Sequence, residues 1–216
     1  MAVTQLQIGK QPITGNGGLV FQRSDSQAAT VVQEFNGRYA EATMQGQKFN
    51  FSVASAAAIL LTNTTANGPT IWNPAGSGKV LYIDKLELSW VSGTITVSSL
   101  IWNITKNAGN GISATAPIVT FTNVAPVPAM VGSGASSKML WAPVTSTFTA
   151  APSFYRATGI NMIAAGAQNN FQAVYDGDFA LMPGNALTLN CAVTTTTALF
   201  WTTIMGTEVD LPAGTL

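Results

Sequence analysis

Asp176 and Asp178 stand either side of Gly177. Two carboxylates at this spacing could supply calcium ligands. With Glu208 or Asp210 brought near by folding, they could also face each other across a sugar, as in a glycosidase. Calcium wants six or more oxygens, usually from several acidic residues, and only these two cluster. The Asp-Gly step between Tyr175 and Phe179 also suits a tight turn. A polar hairpin tip is therefore the favoured reading of this stretch.

Gly76-Ser77-Gly78-Lys79 resembles the end of a phosphate-binding loop. That loop needs Gly five residues before its Gly-Lys pair and Ser or Thr after it. Asn73 and Val80 hold those places. A strand follows rather than a helix, which removes the helix N-terminus that would hold phosphate. A plain turn is expected. Cys191 is the one cysteine, so no disulfide forms within the chain, and its neighbours Leu189 and Val193 predict a buried thiol. There is no histidine, the commonest general base and metal ligand. No serine lies in a Gly-x-Ser-x-Gly elbow. The expected class is non-enzymatic, with no cofactor and no metal.

Five tryptophans could include a sugar-stacking platform. Trp90, Trp102 and Trp201 sit within apolar runs and are expected in the core. Trp72 and Trp141 lie beside proline-containing turns and are the surface candidates. Asn63-Thr64-Thr65 and Asn103-Ile104-Thr105 match the glycosylation sequon, but MAVTQLQIGK lacks the basic start and apolar run of a signal peptide.

The elements that must position these residues read as strands. Leu187, Leu189, Cys191 and Val193 alternate with Thr188, Asn190 and Ala192, the pattern of a half-buried strand. Pro183-Gly184 ahead of it suits a type II turn, and Phe179 and Leu181 end the strand before that turn. Leu199 to Met205 is apolar on both faces, as a central strand would be. Val119 and Phe121 suggest another strand. Phe148, Phe154 and Tyr155 suggest edge strands or long loops. Two runs change phase. Leu81 and Ile83 share one parity and Leu86, Leu88 and Trp90 the other, with Asp84-Lys85 at the change. Ile95 and Val97 give way to Leu100, Trp102 and Ile104 across Ser98-Ser99. A one-residue slip flips faces, so each point predicts a bulge, bend or strand end.

Charged residues make up 8% of the chain, against ~25% in ordinary proteins. The formal net charge is zero. Scattered single Lys and Arg residues give no basic patch, so nucleic acid is not an expected partner. No apolar run reaches the ~18 residues of a membrane span; Ala54 to Leu61 is too short. A neutral surface gives little colloidal repulsion and predicts a surface that meets other protein. Seven of the charges fall within residues 1–48, together with the flexible run Gly15-Asn16-Gly17-Gly18. Residues 1–48 therefore read as an N-terminal attachment arm, with Phe21, Phe35 and Tyr39 as its apolar anchors. Gln27 to Gln45 could form a short helix or strand. Residues 49–216 read as one all-β sandwich or barrel.

Two stretches carry a family resemblance. IWNPAGSGKVLYIDKLELSW, residues 71–90, has an Asn-Pro turn, a Gly-Ser-Gly loop and a long strand. DFALMPGNALTLNCAVTTTTALFWTTIMGTEV, residues 178–209, has a strand ending at Pro-Gly, a second strand, a polar link and an aromatic-rich last strand. Together they resemble the jelly-roll virion proteins of tailed bacteriophages, such as head decoration (cement) proteins and head-fibre or tail appendage domains. The resemblance implies a jelly-roll-like β-sandwich with an extended N-terminal arm. It also implies a homo-oligomer, a trimer above all, in which the arm anchors to the particle. The expected function is a capsid decoration protein that binds and stabilises the phage head. Its partners would be itself and the major capsid protein or another virion protein, and it would be made in the host cytoplasm. The alternative is a host-attachment module that binds cell-surface glycan. The interface residues expected on either reading are Phe21, Phe35, Tyr39, Trp72 and Trp141.

Overall fold

A computed structural model describes residues 39–53, 57–95, 97–105, 118–162, 170–193 and 197–211. The chain divides between Gln45 and Gly46. In the first unit the described part is one short helix, α1 (Ala40–Met44). Tyr39 precedes it and accepts the hydroxyl of Thr43 at 2.9 Å. Phe21 and Phe35 lie outside the described residues, as does the arm up to Arg38.

The second unit is all β. Its strands are β1 (Lys48–Ser52), β2 (Leu60–Thr62), β3 (Thr65–Asn67), β4 (Thr70–Trp72), β5 (Lys79–Ser92), β6 (Ser98–Thr105) and β7 (Ile118–Phe121). There follow β8 (Val127–Pro128), β9 (Leu140–Ala142), β10 (Thr145–Phe148), β11 (Ser153–Met162), β12 (Asn170–Leu181), β13 (Ala186–Cys191) and β14 (Leu199–Asp210). They pair antiparallel into three sheets. A front sheet runs β12-β5-β14-β1-β8, a middle sheet β11-β6-β13-β4-β9, and a smaller cover sheet β2-β3-β10-β7.

Front and middle sheets pack as a sandwich, as the alternating runs predict. Their shared core holds Phe49, Phe51, Leu81, Leu86, Phe200 and Ile204 from the front, and Leu100, Trp102, Trp141 and Leu189 from the middle. The cover sheet lies on the other face of the middle sheet. A second, small core of Ala66, Ile118, Phe148 and Ala186 joins them, flanked by Trp72 and Phe121.

The phase change at Asp84 is a β-bulge. On β14, Met205 pairs with Lys85 and the next residue, Gly206, pairs with Ile83, so Asp84 is the extra residue. The bulge turns Leu81, Ile83, Leu86 and Leu88 all into the core. The second phase change is a strand start: β6 begins at Ser98.

Three expectations are corrected. Asp176-Gly177-Asp178 is not a hairpin tip. Val174 pairs with Lys85 and Phe179 with Ile83 on the same strand, so the chain does not reverse. Four residues of β12 bow out opposite Asp84, with Asp176 and Gly177 at φ of 53° and 79°. Asp-Gly supplies the left-handed backbone here, but within a bulge. Second, β13 is buried on both faces rather than one, because the cover sheet takes the place of water over Thr188 and Asn190. Third, Trp201 is 55% exposed. β14 is central, yet among the described residues no layer lies over Trp201 on its outer face.

Candidate functional site

Asp178, Glu208 and Asp210, three of the carboxylates that could have done chemistry, are each engaged with a partner elsewhere in the chain. Asp178 pairs with Arg156 at 2.7 Å, Asp210 with Lys79 at 2.6 Å, and Glu208 accepts from the Ser137 hydroxyl and, at 3.1 Å, from the Lys138 amide. Folding therefore keeps Glu208 and Asp210 with partners of their own. Among the described residues no three His, Cys, Asp or Glu side chains gather into a possible metal cage. Asp84 meets Lys48 at 3.1 Å, with side chains only 5% and 7% exposed. Thr207 donates to the same Asp84 oxygen at 2.7 Å. The pair spans β1, β14 and β5, and satisfies the bulge that a lone buried carboxylate would destabilise.

The Arg156 guanidinium lies over two aromatic rings, Tyr175 and Phe179, that are themselves buried. Arg156 lies on β11, the edge strand of the middle sheet, and Asp178 lies on β12, the edge strand of the front sheet. The guanidinium carbon sits 5.0 Å from the Phe179 ring centroid and 5.4 Å from that of Tyr175. Tyr155, Phe179, Tyr175 and Trp102 form a chain of tilted and edge-on rings from surface to core, with centroids 5.2–6.3 Å apart. Trp102 Nε1 donates to the Tyr175 hydroxyl at 3.0 Å. Burial pushes the Tyr175 phenol up, while the Trp102 hydrogen bond and the Arg156 charge pull it down. This cluster staples the open edge of the sandwich and leaves Tyr155 42% exposed, its ring against the Phe179 ring that Arg156 also covers.

The site residues expected from sequence are dispersed. Trp141 is wholly buried in the main core; its indole donates to the Ser52 carbonyl at 3.2 Å and meets Phe51 edge-on at 5.9 Å. It is not a surface anchor. Trp72 is half-buried against Phe121. Trp102 is in the core as expected, and Trp90 packs against it half-buried. Gly76-Ser77-Gly78 is a turn, in which the Ser77 hydroxyl donates to Asn73 Oδ1 at 2.5 Å. Cys191 is buried, and burial pushes its thiol up to about 12, so it is inert as a nucleophile at neutral pH. Sequence reasoning missed Arg156; the run Phe154-Tyr155-Arg156, two exposed rings next to a cation, was its visible signal.

No family model, no curated protein and no solved structure matches the chain.

Proposed function

We propose that this chain is a non-enzymatic virion structural protein, a capsid decoration protein that stabilises a phage head through oligomeric contacts. The observation that carries the reading is where the two virion-like stretches fall. Residues 71–90 supply most of β5 and part of β4, and residues 178–209 supply the end of β12, β13 and most of β14. β5 and β14 are neighbours in the front sheet, and β4 and β13 in the middle sheet. The resemblance thus covers matched central strands of both layers rather than scattered segments. Buried charges tied into the frame, and a weakly charged surface, suit contacts that salt does not loosen. The partners proposed are further copies of the chain, as a trimer, and the major capsid protein, reached through the arm.

A second reading is favoured by one observation. Tyr155, against the Phe179 ring that the Arg156–Asp178 pair also covers, offers an exposed ring for the apolar face of a sugar. On that reading the chain is a host-attachment module.

Purified protein incubated with isolated phage heads, and separately with host cells, tests both. Saturable binding to heads that survives high salt supports decoration. Binding to cells alone, lost with Tyr155→Ala, overturns decoration in favour of host attachment.

A further inference from the structure

The cover sheet is built unlike the rest of the molecule. Its strands are three or four residues long. Among the described residues the buried apolar side chains beneath it are Ala66, Ile118, Phe148 and Ala186. The face of the middle sheet that it covers is polar at its centre. Thr70, Thr188 and Asn103 form a row across β4, β13 and β6, with Asn190 two positions along β13. Thr70 donates to Thr188 at 3.1 Å.

The rest of that layer is poorly satisfied. Asn103 Oδ1, Asn190 Oδ1, Ser146 Oγ and Trp72 Nε1 are buried and find no hydrogen-bond partner among the described residues. Asn103, Asn190 and Trp72 are on the covered face of the middle sheet, and Ser146 is on β10 above it. A single further buried side chain in the described residues, Trp90, has an orphaned atom. An unmade buried hydrogen bond destabilises the closed state, and the group regains a partner in water once exposed. Weak apolar burial and clustered orphans act in the same direction.

We propose that the cover sheet opens as a unit from the middle sheet, its short strands losing their mutual hydrogen bonds once unsupported, while the front–middle sandwich stays closed. The pivot is Gly68, which links β3 to β4. A Cβ there would stand 3.1 Å from the Leu189 carbonyl oxygen and 3.3 Å from Ile59 Cα, so the chain is pinned tightly to the middle sheet at this point. Opening wets the Thr and Asn row without parting a strand of the sandwich. The inference is independent of the virion reading.

Hydrogen exchange of the full chain, read by mass spectrometry in native buffer, tests it. Amides of β3 and β10 exchange at least tenfold faster than hydrogen-bonded amides of β5 and β14. Ile204→Val, which weakens only the main core, speeds β5 and β14 severalfold and leaves β3 and β10 unchanged, because the partly open state keeps that core. Ser146→Ala removes one orphan and slows β3 and β10 several-fold. Equal exchange in both sets, or acceleration of β3 and β10 by Ile204→Val, overturns the proposal. An unchanged cover-sheet rate in Ser146→Ala overturns the role of the orphaned groups.

Discussion

The side-chain amide of Asn73 donates to the carbonyl of Leu181, 2.9 Å away and 108 positions along the chain. The same nitrogen donates to Lys79 at 2.8 Å. The Asn73 backbone completes the joint: its amide donates to Asn185 at 3.0 Å and its carbonyl accepts from Gly184 at 2.7 Å. Asn73 thus ties together two of the loops by which the chain passes between front and middle sheets, β4 to β5 and β12 to β13.

Asn73 is fully buried, so its bonds have no water to replace them. Asn73→Ala removes the amide bonds to the Lys79 and Leu181 carbonyls and the acceptor of the Ser77 hydroxyl, and is expected to destabilise the fold by about 3 kcal/mol. Urea unfolding measures it. A loss below about 1 kcal/mol would show that the joint is dispensable.

How much of this was legible in sequence depends on the range of the interaction. The bulge at Asp84 was readable because parity along one strand records which face is buried. The strand starting at Ser98 was readable for the same reason. The third layer was not, because Thr188 and Asn190 alternate in the same way whether water or a polar sheet lies over them. Asp176-Gly177 announced left-handed backbone, which hairpin tips and bulges share; only the pairing with β5 decides between them. Trp141 sits near Pro143 and reads as a turn residue, yet its burial is set by Phe51 and Ser52 from far upstream. Arg156 needed Asp178 from another sheet before it could be seen as a staple.

Lys48 and Asp84 test the buried frame. Lys48→Met leaves Asp84 desolvated without its cation and is expected to destabilise by about 3–5 kcal/mol. Lys48→Met with Asp84→Leu should recover much of that loss, since an apolar pair carries no desolvation penalty. Thermal melts of the three proteins decide it; a double variant no better than the single one would contradict the argument.

Cys191 makes stability depend on alkaline pH. Its thiol lies at about 12 in the fold against an ordinary 9.0, so the folded chain holds a proton that the unfolded chain releases. The contribution is fully present below pH about 9 and is lost as pH rises toward 12. Tyr175, also raised by burial, acts in the same direction. Unfolding midpoints should fall above pH 9, and less steeply in Cys191→Ala. At pH 8 a thiol reagent should leave the folded chain unlabelled and label it in urea; rapid labelling of folded protein would refute the burial.

The edge staple is expected to rest on stacking more than on charge. Asp178 is well exposed, so Asp178→Asn should cost at most about 1 kcal/mol. Arg156→Ala also removes the guanidinium from two rings and should cost about 1–2 kcal/mol. Arg156→Lys should fall between them, because an ammonium cannot lie flat on both rings. Equal losses for Asp178→Asn and Arg156→Ala would assign the staple to the ion pair alone.

The proposed function is tested most directly by an electron-microscopy map of the phage particle that carries this chain. The account predicts sandwich density on the outer surface of the head, repeated with the capsid lattice and clustered in threes. Residues before Gly46 should run into the capsid shell. Density confined to the tail or a fibre tip, or absent from the particle, would contradict it.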